Sequence, residues 1–492
     1  MTNFIELLPD NLLSRCLQLS VKGSAETYRI RNYMKLQIVS KRFRRIVTQE
    51  SPEMWHTVML PNTRHLLRTV AFLANRIPRN TVISFSSQTF VPLGSCVLQF
   101  LKNHARSLEY IGLYDVNLVG KDTSWLNHTA FRPVFQGLSA LETLSLVCRG
   151  HTFPPKMTLP PLPSLKKVTL DIKGADVCAA PDILGCQPSL EVLIVYSWRK
   201  YRQASLTGTT TCITPWLKSL VSLHALEVTM KYEDAHEIFN NEGFIAHPTI
   251  TELSLNVWTP PSSYAFLTLF SNVVRAAVQV HAPARCLDNS LYAPALLQWV
   301  HVKQLMLKQV RIGHDAEFVA GLPRLQKVHL EDCGVWTLKG LESTTQLHTV
   351  WISDVELYSC EGIGTLTHLR SLCLSGTCLT DVSELKTLRT LVFLGLLNCQ
   401  YLRGVPWDVP EFTRTLEYVR LCADVCLDMD APASLPNVKA VDLQGANDGV
   451  GKFLESVVSS KATLKRLIWR GLMTDEFVTR YPHAASLVRI SM

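Results

Sequence analysis

The sequence predicts an α/β solenoid, a stack of short parallel strands preceded by a small N-terminal helical module. Three observations predict it. An apolar triplet spaced L-x-x-L-x-L returns through most of the chain, Pro-rich connections lie between triplets, and the first stretch of about sixty residues has a helical apolar period instead.

The triplet is clearest at Leu325/Val328/Leu330, Leu347/Val350/Ile352, Leu369/Leu372/Leu374 and Leu391/Leu394/Leu396, each starting 22 residues after the last. It continues at Leu416/Val419/Leu421, Val438/Val441/Leu443, Leu464/Leu467/Trp469 and Leu487/Ile490/Met492. Toward the N-terminus it stands at Val302/Leu305/Leu307, Ile250/Leu253/Leu255, Leu223/Leu226/Val228, Leu190/Leu193/Val195, Leu165/Val168/Leu170, Leu141/Leu144/Leu146 and Leu108/Ile111/Leu113. A degenerate copy, Arg275/Val278/Val280, fills the gap between Ile250 and Val302. One triplet fits any apolar strand, whereas sixteen at near-regular spacing specify a repeat.

Alternate residues of a strand point to opposite faces, so the triplet residues enter the core and the intervening ones leave it. The rest of each unit returns as helix or irregular backbone. The long intervals 108–141 and 190–223 require inserted loops. Pro154 to Pro163 and Thr259 to Ser263 read as connections, because proline continues neither strand nor helix.

This pattern resembles the leucine-rich-repeat family, whose motif is L-x-x-L-x-L-x-x-N/C-x-L. The resemblance implies a horseshoe with a parallel sheet on its concave face. Cys333 and Cys399 keep the motif's Asn/Cys position, while Val310, Val355 and Thr377 occupy it elsewhere.

Before the repeats, Leu12, Leu13, Cys16 and Leu17 follow a helical pattern that Asp10 or Asn11 can cap. A second helical stretch from Tyr28 to Thr48 puts Tyr33, Leu36, Val39, Phe43, Ile46 and Val47 on one broad face. Leu8-Pro9, Leu12, Leu13 and Leu17, then Val39-Ser40-Lys41-Arg42-Phe43 and a closing Trp55 resemble an F-box, with extra length around Val21 to Arg31. The resemblance implies docking to a Skp-type adaptor of a cullin-RING ubiquitin ligase through Leu8, Pro9, Leu12, Leu13, Val39 and Phe43. The alternative for the same helices is a cap over the first repeat, which every solenoid needs. The expected organisation is a helical module over 1–60, degenerate first repeats or a linker over 61–107, and the repeat solenoid over 108–492.

With 47% hydrophobic and 18% charged residues, the 492-residue chain can bury enough apolar surface to fold. Its formal charge of +8 comes from scattered residues, so nucleic acid is expected only as part of a larger complex. No apolar window reaches about 18 residues and no membrane contact is expected. Glu6, Pro9 and Asp10 come before any apolar run long enough for a secretory signal, so no cleaved leader is expected. The 14 Cys form no C-x-x-C pair and read as small hydrophobes in a reducing compartment, cytoplasm or nucleus, with organelle import compatible. Zinc, phosphate-loop, dinucleotide and nucleophile signatures are missing, so no catalytic residue, cofactor or metal site is expected.

The functional surface is therefore expected on the outward row of the strands, where matching positions align across repeats. Between the last two triplet positions stand Met306, His329, Trp351, Cys373, Gly395 and Arg420, and two residues on stand Lys308, Glu331, Ser353, Ser375, Leu397 and Cys422. Trp351, His329, Arg420, Lys308 and Glu331 are the candidate partner-binding residues, since aromatic and Arg anchors dominate interface energies. The leading expectation is a non-enzymatic receptor, monomeric within a hetero-complex, that presents an unknown target protein to the ligase. The alternatives are a structural scaffold in a large protein or ribonucleoprotein complex and a receptor for an anionic small ligand such as an inositol phosphate.

Overall fold

The computed structural model describes residues 57–61, 82–86, 110–117, 135–149, 158–173, 180–197, 213–230, 235–239, 247–258, 265–281, 298–310, 312–354, 356–422, 435–444, 465–470 and 475–480, with residues 178, 296 and 453 singly. Leu8, Pro9, Leu12, Leu13, Val39, Phe43 and Trp55 lie outside these residues, as does the Leu487/Ile490/Met492 triplet. The chain forms two compact units, Met1–Glu242 and Gly243–Met492.

The first unit carries β1 (Thr57–Pro61), β2 (Val82–Ser86), β3 (Tyr110–Asn117), β4 (Thr143–Arg149), β5 (Lys167–Lys173), β6 (Val192–Ser197) and β7 (Ala225–Met230). Each pairs parallel with the next, so the sheet includes Thr57–Pro61 and reaches into the last residues of the 1–60 segment. The triplets set the register: Leu144 faces Val168, which faces Leu193, which faces Leu226. These four are buried, as are Leu146, Leu170, Val195 and Val228 two residues on. The return segments include α1 (Ala180–Leu184) and α2 (Thr214–Ser219), the latter started by Pro215 in its first turn. The proline-rich connection is fastened by Gln187, whose buried amide donates to the Leu184 and Pro160 carbonyls and accepts from the Leu162 N–H.

The second unit carries β8 (Glu252–Val257), β9 (Arg275–Val280), β10 (Gln304–Lys308), β11 (Lys327–Glu331), β12 (Thr349–Ser353), β13 (Ser371–Ser375), β14 (Phe393–Leu397), β15 (Tyr418–Cys422), β16 (Ala440–Gln444) and β17 (Arg466–Arg470), again parallel and in sequence order. From Val302 to Leu443 every triplet residue is at most 2% exposed. A 22-residue period leaves little chain for the return, which is made by 3-10 turns at Glu317–Gly321, Leu341–Ser343, Ile363–Thr365 and Ser383–Thr387.

One repeat differs from the sequence reading. Ala276, not Val278, faces Leu305 and Leu253, so the inward set of β9 is Val273, Ala276 and Val278, and Arg275 points out to pair with Glu252. Ala276 is too small to stand out as an apolar marker, and the larger valines drew the frame two residues along.

The turn after each strand has its own physics. Gln309, Asp332, Gly376 and Asn398 all take the left-handed conformation, and the N–H groups of Gln309, Asp332 and Gly376 bond the last carbonyl of the following strand at 2.7, 2.8 and 2.7 Å. Next to them the consensus position ties the turn to its neighbour. The Cys333 thiol points at the Leu307 and Glu331 carbonyls, the Cys399 thiol at the Leu374 and Leu397 carbonyls, and Thr377 donates to the Cys399 sulfur. Asp354 is the exception to the left-handed series. Its buried carboxylate accepts from the Gly334 and Val335 N–H groups at 2.6 and 3.1 Å and from Glu356 N–H at 3.0 Å.

Candidate recognition surface

The outward row of the second unit runs Met306, His329, Trp351, Cys373, Gly395, Arg420 and Asp442 across seven strands in register. Strand parity places all seven positions on one face, but neighbours decide which of their side chains meet solvent. Met306 and Trp351 are 38% and 41% exposed, whereas Cys373 is 7% exposed.

His329 and Trp351 are brought together, ring centroids 5.6 Å apart and nearly perpendicular. Such an edge-to-face pair adds about 0.5–1.5 kcal/mol beyond burial and fixes the indole without hiding it. Burial holds the His329 imidazole below its ordinary value, with Glu331 pulling up and Lys308 pushing down. The ring is thus held toward the neutral form at the edge of the indole.

Arg420 is not part of that pair. It lies three strands away and bonds Asp442 on β16 at 3.1 Å. Between them the face is sealed. Gly395 leaves room that the Cys373 sulfur and the Phe393 ring fill, since a Cβ there would sit 2.9 Å from the one and 3.3 Å from the other. Burial pushes the Cys373 thiol up to about 11, and the charge of Arg420 only moderates it. In the next row Leu397 and Cys422 are also buried.

Lys308 and Glu331 bond each other at 2.6 Å across adjacent strands. Both are partly exposed, and as a pair they form the polar border of the aromatic patch rather than two separate anchors.

Sequence reasoning missed a second aromatic row because it followed the strands only to their ends. His314, Trp336 and Tyr358 recur at the 22-residue period in the turns beyond β10, β11 and β12. Their backbones are linked in series, Trp336 N–H to the His314 carbonyl and Tyr358 N–H to the Trp336 carbonyl. The His314 and Trp336 rings lie 3.7 Å apart, Tyr358 meets Trp336 edge-on at 6.5 Å, and the Trp336 indole N–H donates to Glu356. Trp336 and Tyr358 are 42% and 57% exposed. Trp258, stacked on His281 at 4.4 Å, adds another exposed indole at the C-terminal end of β8.

Among the described residues no group of His, Cys, Asp and Glu is arranged to hold a metal ion, and no helix is long and apolar enough to cross a membrane. The buried thiol of Cys333 is pushed up to about 12 by burial, and that of Cys360 is pushed up as well, which makes them packing groups rather than nucleophiles.

Parallel strands stacked at a 22-residue period, with short returns between them, define an α/β leucine-rich-repeat solenoid. Solved structures with similar backbones include the functional domain of InlJ from Listeria monocytogenes, described as including a cysteine ladder, at 11% identity and TM-score 0.38 over 75% of this chain and 69% of that one. The internalin InlF from Listeria monocytogenes is similar at 14% identity and TM-score 0.40 over 87% and 94%. A chain of the LRIM1/APL1C complex is similar at 14% identity and TM-score 0.38 over 84% and 68%. No protein-family profile and no curated protein matches the sequence.

Proposed function

We propose that the chain is a non-enzymatic receptor whose repeat face, centred on His329 and Trp351, binds a target protein, while residues 1–60 dock a Skp-type adaptor and through it a cullin-RING ubiquitin ligase. The observation that carries the recognition half is an indole held edge-on by a histidine yet 41% exposed on a rigid parallel sheet. Preorganised aromatic anchors of this kind supply most of the binding energy of protein interfaces. Support for the docking half is in the sequence: Leu8-Pro9, Leu12, Leu13, Val39 and Phe43 follow the F-box pattern directly before a leucine-rich-repeat array. Ubiquitin transfer belongs to other subunits in this reading, and the receptor acts by raising the effective concentration of the target.

The test is affinity purification of the tagged full chain from its native cells with mass spectrometry, repeated with Leu12→Asp and with Trp351→Ala. The expected result is loss of adaptor and cullin peptides with the first variant and loss of the target alone with the second. A truncated indole at a central anchor should weaken the target by about 30-fold or more. Retention of adaptor peptides by Leu12→Asp would sink the docking assignment. Recovery of structural or ribonucleoprotein partners unchanged by either variant would make the chain a scaffold instead.

A further inference from the structure

The opposite, N-terminal ends of strands β12 to β16 form an open groove of about 1180 Å³. Its floor is built from the residues that immediately precede each strand, His348, Arg370, Val392, Glu417 and Lys439, stacked by N–H to carbonyl bonds of 2.7–2.9 Å from repeat to repeat. Arg389 and Arg414 line it from the segments just before. The repeat geometry thus collects cations that are far apart in sequence onto one edge.

Several cations on the strands of this unit have acidic partners. Arg275 bonds Glu252, Lys308 bonds Glu331, Arg420 bonds Asp442, and in the groove itself Lys439 bonds Glu417 at 2.6 Å. Arg370, Arg389 and Arg414 are exposed, and no carboxylate among the described residues lies within ion-pair distance of them. Glu417, the sole acid of the lining, is taken by Lys439, so the groove keeps three uncompensated guanidinium groups. The imidazole of His348 is held below its ordinary value by burial and by the charges of Lys327 and Arg370, which agrees with a positive environment.

Shape selects among anions. Five neighbouring strands about 4.8 Å apart span about 19 Å, the length of about six residues of extended chain. The volume exceeds the range of about 300–1,000 Å³ usual for small-molecule pockets. Single-stranded nucleic acid stacks its bases mainly on Trp, Tyr and Phe, none of which lines the groove, where the only rings are the imidazoles of His348 and His368. Guanidinium forks match carboxylates bidentately and remain charged at any physiological pH. We propose that this groove docks an acidic stretch of a partner polypeptide in extended conformation, with Arg370, Arg389 and Arg414 binding its carboxylates.

The test uses the purified full chain and fluorescence anisotropy of a labelled octaglutamate peptide, with octaglutamine as the neutral control. The glutamate peptide should bind and weaken as salt rises, while the glutamine peptide should not bind. The triple variant Arg370→Gln/Arg389→Gln/Arg414→Gln should lose at least about tenfold in affinity with an unchanged melting curve, since it removes charge-assisted bonds at exposed positions. Lys166→Gln/Lys167→Gln/Lys218→Gln, which removes equal charge from exposed positions in the other unit, should bind as the unaltered chain does. Absence of glutamate binding at low salt, or equal losses in the two triple variants, would overturn the site. Tighter binding of oligothymidylate or inorganic triphosphate than of octaglutamate, lost in the Arg triple variant, would overturn the polypeptide assignment. Arg389→Gln alone provides a milder variant that should give a measurable part of the loss.

Discussion

At the scale of the residue, Asp354 decides more than its neighbours do. Its carboxylate is the acceptor for two N–H groups at the turn after β11 and one in its own turn. Asp354→Ala would strand buried donors without replacing them, and the expected loss is about 2–4 kcal/mol, read by urea unfolding. Asp354→Asn keeps one acceptor oxygen and should recover part of that loss; equal stability of the Ala variant and the unaltered chain would show that water replaces the carboxylate. Nothing in the sequence marks this aspartate, because its role depends on the backbone of the preceding repeat. The cysteines of the second unit are the opposite case. Their dispersion reads as packing, and Cys333, Cys360, Cys373 and Cys399 are buried with thiols pushed up by that burial.

At the scale of the element, the strands were legible because their period, 22 residues over four successive repeats, is the period of their burial. The slip at β9 came from a small inward residue, Ala276, and the sealed stretch of the outward face came from Gly395, whose missing side chain lets Cys373 and Phe393 close over it. Parity along a strand tells which way a side chain leaves the backbone, and only the neighbouring strands tell whether solvent reaches it. The row of His314, Trp336 and Tyr358 was visible in the spacing but lay past the strand ends, where alternation no longer applies. The 3-10 returns carry a further test. Gly340 precedes one of them at φ 102°, and a Cβ there would meet the Glu317 backbone nitrogen at 2.5 Å and the Ala316 carbonyl carbon at 2.6 Å. Gly340→Ala must therefore move one repeat against the next, and the expected destabilisation is about 1–3 kcal/mol by chemical denaturation. Gly313, also left-handed but with open space around it, should tolerate Ala with a smaller loss, and the reverse order would refute the packing account.

At the scale of the whole molecule, the histidines set a pH dependence. Burial is the first cause that lowers His281, His329 and His348 below the ordinary 6.5, so each resists protonation in the folded chain. The unfolded chain then takes up protons first as pH falls through about 6.5, and stability rises with pH wherever the unfolded state binds more of them. The melting temperature should therefore fall as pH is lowered from about 7.5 to about 5.5. Replacing all three by Asn should flatten that profile, and an unchanged slope would assign it to other groups. Asp332, raised by burial and by Asp354 and Glu331, acts with the opposite sign.

Within each compact unit an interior strand takes its hydrogen bonds from the strands immediately before and after it, and the paired residues stand only one repeat apart in the sequence. Ordering can therefore start at any interior repeat and spread outward without closing a long loop, which favours rapid folding for a chain of this length. The same arrangement makes length a free variable. Duplicating or deleting one whole 22-residue unit between β11 and β14 would leave each remaining strand with a partner on both sides, so these repeats offer a place where the molecule can be lengthened or shortened without redesigning its core.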